Sequence, residues 1–467
     1  MMRTRYAGAG ASPAHIALLL ALTGLLGCSP VSRPNILLVV IDTARADRFP
    51  FGGYDRDTAP ALRELAAGGV VYTAAYSPAP WTVPAHASLF TGQYPSLHRT
   101  DCGSLRLPDG AVTLAETLRA AGYRTVGYTA NPWIGAGYNF QQGFDTYGEV
   151  WREVRERSPD TGATLTNERV ERFLRWFAGN PDARRQPFFL FVNYFEPHLA
   201  YHPPEPERSR MLRRVDETGR VDELSRLGHP DEMLFILGRS PLTGGDLEIL
   251  NDLYDGEIAY VDRRLGEVIA VLRQEGLLDG TVIAVTADHG ENIGDHGLMD
   301  HKMSVHDTLL HVPLVLRYPP LIPAGRVIDE PVQMHDLYPT LLRLAGVQPA
   351  AEAIVEALPL PGIGAQKGGA ERHDVIVGEF AGPPVDFLAT MKPLAPGEDL
   401  TRFDRKLVAL RRDGWKVHWG SDGRHALYHV AVDPGETRDL ALSEPQRLES
   451  MVRDVGVWLN RPARRHH

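Results

Sequence analysis

Hydrophobic and polar positions along the chain form two kinds of segment that alternate with each other. Short runs of apolar and β-branched residues predict buried strands, because a strand covered on both faces has few polar positions. Longer segments with apolar residues three or four positions apart predict helices with one buried face. The predicted strands are residues 35–41, 125–128, 188–194, 281–286 and 312–317. The predicted helices are residues 59–67, 113–121, 168–178, 247–274 and 336–345.

Strands that alternate with helices predict an α/β fold, with a large, mostly parallel sheet covered by helices on both faces. A stretch rich in Pro, Gly and Ala follows, and after it short alternating segments predict a smaller C-terminal antiparallel α+β subdomain. These segments are residues 374–379, 406–411, 415–419 and 425–430, with a final helix at 445–459. The predicted boundaries are a large α/β domain at 28–346, a linker at 347–372 and the subdomain at 373–467.

Residues 1–27 predict a signal peptide. Arg3 and Arg5 precede the apolar run 16–26, which is too short for a permanent membrane helix. The run ends in Leu-Leu-Gly-Cys, which resembles the bacterial lipoprotein box with Cys28 as the lipidated residue. Leu26 departs from the small residue usual at its position, which leaves cleavage by an ordinary signal peptidase open. We expect export to the bacterial cell envelope, periplasm or surface, with membrane attachment through Cys28.

The net charge bears on binding partners, and the cysteine content bears on disulfide bonds. A formal net charge of −10 at pH 7 provides no basic surface, so no nucleic-acid partner is expected. If Cys28 is lipidated, Cys102 has no partner within the chain. The fold would then depend on its core for stability, which 467 residues can supply.

Acidic and histidine side chains follow two of the predicted strands. Asp42 follows the first strand, and Asp288 with His289 follows the strand at 281–286. Parallel sheets place ligands outside the carboxyl ends of their strands, and a carboxylate with an imidazole can bind one divalent ion there. A single Asp-His pair is also typical of a loop or a helix cap. Two such strand ends favour a metal site.

Thr82 stands just before a predicted helix, since Pro84 suits the first turn of a helix. The positive end of the helix dipole would stabilise an alkoxide there, and a bound metal would do so more strongly. This arrangement predicts a nucleophile. A simple helix N-cap is the alternative interpretation.

Six ordered motifs together resemble the sulfatase family of the alkaline phosphatase superfamily, over nearly the whole chain after the signal peptide. They are RPNI (33–36) continuing to DTARAD (42–47), PAHASLFTG (84–92), EPH (196–198), DHGE (288–291) with a later HG (296–297) and Lys302, VPL (312–314), and LY (427–428) continuing to DPGE (433–436).

The resemblance implies a role for each matching residue. Asp42, Asp288 and His289 would bind the metal, with Thr82 as the metal-bound nucleophile. Three further residues would contact the transferred group or protonate the leaving oxygen, namely His198, Lys302 and His296. Each of these three is also compatible with a structural or solvated role.

Two residues are candidates for binding substrate. Asn131 lies where sulfatases carry a Lys/His pair, and it could donate a hydrogen bond to a nonbridging oxygen. An Asn-Pro turn explains Asn131 equally well. His86 stands where typical sulfatases have Arg.

Thr82 departs from the family pattern. Typical sulfatases have Cys or Ser there and oxidise it to formylglycine, which threonine cannot become, so no formylglycine is expected. A threonyl phosphate can be hydrolysed by water or passed to another acceptor. Related phosphodiesterases and phosphoethanolamine transferases use Thr, so the chemistry favours phosphorus.

Thr43 replaces a second Asp of many sulfatases, and with His289 this favours Mn²⁺ or Zn²⁺ over Ca²⁺. One divalent ion is therefore expected. The sequence leaves open a second ion, with candidate ligands His198, Glu196, His296, His301 and His306.

The resulting hypothesis is a metal-dependent hydrolase of sulfuric or phosphoric-type esters that forms a covalent intermediate on Thr82. Its substrate would be a small molecule or a glycan or lipid ester. Three alternatives stay open: a Thr-dependent phosphodiesterase or phosphonate hydrolase, a phospho-group transferase acting on envelope components, and an inactive sulfatase-like surface-binding lipoprotein.

Overall fold

The first strand lies at the centre of the architecture. In the computed structural model, residues Ile36 to Ile41 are each at most 2% exposed. Successive side chains of a strand point to opposite faces, so burial of every one means that both faces of the sheet are covered. The structure describes Met1 and residues 33–154, 160–213, 219–361, 375–383 and 385–461.

The strands are numbered β1 to β15 in chain order. They are β1 (Asn35–Ile41), β2 (Val70–Tyr76), β3 (Arg124–Thr129), β4 (Thr146–Glu149), β5 (Phe188–Tyr194), β6 (Thr281–Ala287), β7 (Asn292–Ile293), β8 (Met299–Asp300), β9 (His311–Arg317), β10 (Arg326–Ile328), β11 (Val332–Gln333), β12 (Ile376–Phe380), β13 (Leu407–Arg412), β14 (Trp415–Gly420) and β15 (Ala426–Tyr428).

The large sheet has the order β10-β2-β9-β6-β1-β5-β3-β4, with β11 paired to β2. All its pairings are parallel except those of β9 with β2 and β6. The α/β prediction of a large, mostly parallel sheet is confirmed. Strand β1 lies between β5 and β6, and the carboxyl ends of these three strands therefore meet at one edge of the sheet.

In the order of the chain, most of the α-helices fall between strands of the large sheet. The α-helices are Pro60–Ala67, Thr82–Thr91, Pro95–His98, Leu114–Ala120, Ala163–Gly179, Glu207–Met211, Arg220–Leu224, His229–Ile236, Gly244–Gln274, Asp307–Leu310, Leu337–Leu344, Val385–Met391 and Pro445–Leu459. None of the helices within the described ranges has both the length and the apolar character needed to cross a membrane.

The small C-terminal sheet has the order β12-β13-β14-β15 and is antiparallel throughout. Helix Pro445–Leu459 packs on it through Met451 and Val455, in a second apolar core that also contains Tyr94 of the large domain. The prediction of a small antiparallel α+β subdomain is confirmed.

Several elements differ from their predicted bounds. The helix predicted at 168–178 extends over Ala163–Gly179, and Thr82 is the first residue of its helix rather than the residue before it. Strand β2 was not predicted, and β9 is antiparallel to both of its neighbours. Pairing direction depends on contacts across the sheet, which the hydrophobic pattern of one segment does not contain.

Some predictions fall wholly or partly outside the described residues. The signal peptide (apart from Met1), Cys28 and linker residues 362–372 are among them. The described part of the linker packs on the large domain, where Leu358 N donates to Thr340 Oγ1 at 2.7 Å. Residues Pro34–His467 form one unit by their contacts. The predicted domain boundaries stay predictions.

Candidate active site

Two neighbouring strands bring the predicted metal ligands together. The register pairs Ile41 of β1 with Ala287 of β6, so the residues that follow them, Asp42 and Asp288, leave the sheet side by side. His289 comes next in the chain. The backbone N–H groups of Thr43 and His289 donate to Asp288 Oδ1 at 3.1 and 2.9 Å, which fixes that carboxylate.

Asp42, Asp288 and His289 form the first cluster, whose ligand atoms all lie within 4.8 Å of one another. All three residues are 0% exposed. Asp42 Oδ1 and Asp288 Oδ2 are buried and make no hydrogen bond to the described residues. Gly290 O lies 2.9 Å from His289 Nδ1, so Nδ1 carries the proton and Nε2 presents a lone pair. That nitrogen lies 3.3 Å from Asp288 Oδ2 and 4.0 Å from Asp42 Oδ1.

The charges of the first cluster are unbalanced. Burial and the nearby Asp288 carboxylate raise the pKa of Asp42 well above its usual range. Burial opposes the charge of Asp288 as well, but the neighbouring His289 holds the pKa of Asp288 below its usual range. Two buried carboxylates that face one imidazole form a site suited to a divalent cation.

Thr82 lies against the first cluster. Its Oγ1 is 3.3 Å from His289 Nε2, and the residue is 2% exposed. Thr82 is the first residue of helix Thr82–Thr91, whose preceding residue Trp81 is extended and makes no side-chain cap. The Thr82 hydroxyl therefore lies near the positive end of the helix dipole and beside the ligand atoms.

His86 lies one turn further along the same helix. Its Nδ1 is 3.0 Å from Thr82 O and 3.4 Å from Asp288 Oδ2. Burial lowers the pKa of His86, and its ring packs edge-on against Phe90 and Phe191. His86, predicted to bind substrate, thus contacts Asp288, a candidate metal ligand.

Asn131 has the turn role predicted from the sequence and a contact with Asp42, while its hydrogen bond to a substrate oxygen stays a prediction. Its Oδ1 accepts from Trp133 N at 2.8 Å and caps the 3₁₀ helix Pro132–Ile134. Its Nδ2 donates to Asp42 Oδ2 at 2.5 Å. Asn131 is therefore both a turn residue and a hydrogen-bond donor that orients Asp42.

Glu291, Asp300 and His301 form the second cluster, whose ligand atoms also lie within 4.8 Å of one another. The His301 ring lies 4.5 Å from the His289 ring, centroid to centroid, so the two clusters adjoin. Burial opposes a charge on His301, but Asp300 and Glu291 raise its pKa to about 10.

His198 and Lys302 each contact a residue of the second cluster. The ring of His198 lies edge-on to His301 at 5.0 Å, and burial lowers the pKa of His198 to about 3. Lys302 Nζ donates to Asp300 Oδ2. Burial opposes the charge of Lys302, but Asp300 and Glu232 raise its pKa, so Lys302 is a cation.

His296 belongs to a third cluster, His296, His306 and Glu436. The rings of His296 and His306 stack with their centroids 3.6 Å apart. His418 of the C-terminal sheet also contacts Glu436, at 2.9 Å. The third cluster contains none of the ligands of the first, and the catalytic role of His296 stays a prediction.

Glu291, Asp300 and Glu436 were not singled out as site residues from the sequence. Glu291 lies two residues after His289, and Asp300 lies two residues before Lys302, so the motif itself contains the signal. Glu436 ends the DPGE motif, but more than a hundred residues separate it from His296.

The comparisons with known proteins agree on one family. A family profile described as Sulfatase matches residues 34–347. The choline-sulfatase of Rhizobium meliloti is 25% identical, over 88% of this chain and 82% of its own length. The multifunctional alkaline phosphatase superfamily protein PehA of Trinickia caryophylli is 27% identical, over 69% of this chain and 76% of its own length.

Solved structures share the fold. The phosphonate monoester hydrolase of Agrobacterium radiobacter matches with a TM-score of 0.71 and 24% identity, covering 91% of this chain and 95% of that chain. At this identity the match establishes a common fold and leaves the substrate open.

Proposed function

The chain belongs to the sulfatase family of the alkaline phosphatase superfamily, and from this premise we propose that it hydrolyses phosphoric or sulfuric-type esters with Thr82 as nucleophile. One observation carries the proposal: Thr82 Oγ1 lies 3.3 Å from His289 Nε2, beside two buried carboxylates. A hydroxyl at a helix N-terminus, next to a set of metal ligands, is placed to be activated for attack.

The residues of the first cluster fit a divalent metal ion. Asp42 Oδ1 and Asp288 Oδ2 are buried without hydrogen bonds to the described residues, and the proton on His289 Nδ1 leaves Nε2 as a ligand. When bound, such an ion would lower the pKa of the Thr82 hydroxyl and neutralise charge on the transferred group. Two carboxylates with an imidazole favour Mn²⁺ or Zn²⁺ over Ca²⁺.

The chemistry of threonine supports a phosphorus substrate. The Cβ of Thr82 carries a methyl group, so its oxidation cannot give the aldehyde of formylglycine. A covalent sulfate on Thr82 would need slow attack of water at sulfur, whereas a covalent phosphoryl or phosphonyl group can be released by an activated water. The name of the phosphonate monoester hydrolase agrees with this direction, that of the choline-sulfatase does not, and that of PehA gives only its superfamily.

The remaining residues position and neutralise the reacting groups. Thr82 Oγ1 forms a bond to phosphorus or sulfur while the bond to the leaving oxygen breaks. Lys302, a cation, neutralises the equatorial oxygens and can provide a proton to the departing oxygen. The Nδ1–H of His198 donates to Leu199 O at 2.8 Å, so its Nε2 is an acceptor. Asn131 holds Asp42 in place.

The test is a rate panel with aryl sulfate, aryl phosphate, aryl phosphodiester and aryl phosphonate monoester. We expect phosphodiester or phosphonate turnover to exceed sulfate turnover, and Thr82→Val to lose about 10³-fold or more. Thr91→Val is the matched control, since Thr91 lies at the other end of the same helix and donates only to Ala87 O. A sulfate rate that dominates the panel would overturn the phosphorus preference, and activity retained in Thr82→Val would overturn the nucleophile.

We further propose that the chain is exported and attached to the membrane of the cell envelope through a lipid on Cys28. Its support is the apolar run that ends in Leu-Leu-Gly-Cys. Metabolic labelling with a radioactive fatty acid tests it. Label is expected on the wild type and absent from Cys28→Ser, and an unlabelled wild type contradicts the proposal.

A further inference from the structure

The second cluster consists of ionisable side chains, which are costly to bury, and yet it lies in the protein interior. Glu291 is 0% exposed, Asp300 3% and His301 4%. Neither oxygen of the Glu291 carboxylate makes a hydrogen bond to the described residues, although Oε1 points toward His301 Nδ1 at 3.4 Å. A buried carboxylate without hydrogen-bond donors is costly unless a cation accompanies it.

A short hairpin builds this arrangement. Strands β7 and β8 pair antiparallel with Asn292 opposite Asp300, so the next residues outward, Glu291 and His301, face each other. Asn292 Nδ2 donates to Asp300 O at 3.0 Å, and Thr308 Oγ1 donates to Asn292 Oδ1 at 2.7 Å. The hairpin thus places Glu291 opposite His301, and Asp300, whose φ is 67°, brings its Oδ1 to 2.5 Å from His301 Nδ1.

The local charge also favours a cation. Three carboxylates, Glu232, Glu291 and Asp300, are each at most 3% exposed, and Lys302 is the neighbouring lysine. These three carboxylates and Lys302 carry a net charge of −2, and a proton on His301 reduces it to −1, so a metal ion that binds here must displace this proton. One divalent ion would neutralise that charge.

We propose that Glu291, Asp300 and His301 bind a second divalent cation, adjacent to the first cluster. Two carboxylate oxygens and one imidazole nitrogen form a mixed ligand set that suits Zn²⁺ or Mn²⁺. The contact between the rings of His289 and His301 places this ion beside the site of Thr82. The inference goes beyond the proposed function, because it requires neither Thr82 chemistry nor a particular substrate.

The competing interpretation is a purely ionic cluster, in which a proton on His301 serves the two carboxylates. His301 Nδ1 lies 2.5 Å from Asp300 Oδ1, a distance that suits a shared proton. The two interpretations differ in the number of metal ions that the folded chain binds.

The test counts ions. Purified protein is stripped with a chelator, reloaded with Zn²⁺ or Mn²⁺, freed of excess ion and analysed by mass spectrometry of the metal. We expect two ions per chain in the wild type and one in Glu291→Gln, in His301→Ala and in Asp288→Asn. His306→Ala, in the third cluster, is expected to retain two. One ion in the wild type, lost in Asp288→Asn, would overturn the second site and leave the proposed function standing.

A second measurement does not depend on the count. His301→Cys loaded with Cd²⁺ is expected to show a thiolate-to-cadmium absorption band in the ultraviolet that exceeds any band given by Cys28 and Cys102 in wild type treated in the same way. Addition of Glu291→Gln to this variant is expected to weaken the band. Loss of an ion in His306→Ala but not in His301→Ala, or no band in His301→Cys beyond that of wild type, would overturn the proposal.

Discussion

At the scale of single residues, the site depends on side chains that orient other side chains. Asn131 donates to Asp42 Oδ2, and His289 is oriented by the carbonyl of Gly290. Such partners typically change metal affinity by 10- to 100-fold when they are removed. Asn131 is the clearest case, because its amide oxygen caps a turn while its amide nitrogen donates to Asp42, a predicted metal ligand.

Asn131→Ala is expected to weaken Mn²⁺ or Zn²⁺ binding by about 10- to 100-fold, because Asp42 loses the donor that orients it. Competition with a chelator dye measures the dissociation constant. Asn139→Ala is the control, since Asn139 is a buried amide that donates to Leu107 O in another loop. Equal affinities in wild type and Asn131→Ala would contradict the positioning role.

Asp336 gives a residue-scale prediction about pH. Burial raises the pKa of Asp336 to about 8, and Oδ1 makes no hydrogen bond to the described residues. In the unfolded chain an aspartate has a pKa of about 3.9. The folded state therefore binds the proton more tightly, and this stability is present at acid pH and is lost as pH rises toward about 8.

Asp336→Asn removes this titration while keeping an acceptor for Gln333 N, which donates to Oδ2 at 2.9 Å. Between pH 5 and pH 8 the wild type is expected to lose stability relative to the variant, by about 1 kcal/mol or more. Thermal unfolding of both proteins at the two pH values measures the difference. A difference that does not change with pH would contradict the raised pKa.

At the scale of elements, local capping explains where the long helix begins. Thr243 and Asp246 form a capping box, in which Thr243 Oγ1 accepts from Asp246 N at 3.3 Å and Asp246 Oδ2 accepts from Thr243 N at 2.7 Å. Helix Gly244–Gln274 therefore begins three residues before its first predicted residue. The capping residues precede the apolar periodicity from which the helix was predicted.

Thr243→Ala is expected to lower the free energy of unfolding by about 1 kcal/mol, because the N–H of Asp246 loses its side-chain acceptor and Asp246 Oδ2 loses the Thr243 hydroxyl as a donor. Thr243→Ser keeps the hydroxyl and should stay close to wild type. Denaturant titration of the three proteins gives the comparison. A full loss in Thr243→Ser would show that capping is not the cause.

At the scale of the whole molecule, buried ion pairs join the C-terminal sheet to the large domain. Lys416 of β14 is 1% exposed, and its Nζ lies 2.6 Å from Asp307 Oδ1 and 2.9 Å from Glu436 Oε1. Asp307 begins helix Asp307–Leu310 of the large domain and also pairs with Arg411. The network therefore connects the subdomain to the segment that follows the second cluster.

Lys416→Met is expected to destabilise the protein by about 3 kcal/mol, because the buried Glu436 carboxylate and the partly buried Asp307 carboxylate lose their shared cation. Lys406→Met is the control, since Lys406 is exposed and substitutions at such positions change stability by about 0.5 kcal/mol or less. The midpoints of denaturant unfolding measure both effects. Similar midpoints for the two variants would contradict a structural role of this network.

Much of the fold could be predicted because its signals are local. The apolar runs of β1, β5 and β6 identify buried strands, and the acidic residues at the ends of β1 and β6 are visible beside them. Thr82 could be identified as a candidate because its helix start and its motif occupy a few consecutive residues. Short or edge strands such as β4 and β10 could not be predicted from the sequence, because their burial depends on what packs against them.

The sequence by itself determined which segments are buried strands and which residues follow them, because burial on both faces requires a continuous apolar run. Only the tertiary structure decided that β1 lies between β5 and β6, and hence that Asp42 meets Asp288. It also placed His296 with Glu436, and Glu291 opposite His301. Such meetings depend on strand order and hairpin register, which are fixed by contacts between segments distant in the chain and leave no periodic pattern within either one.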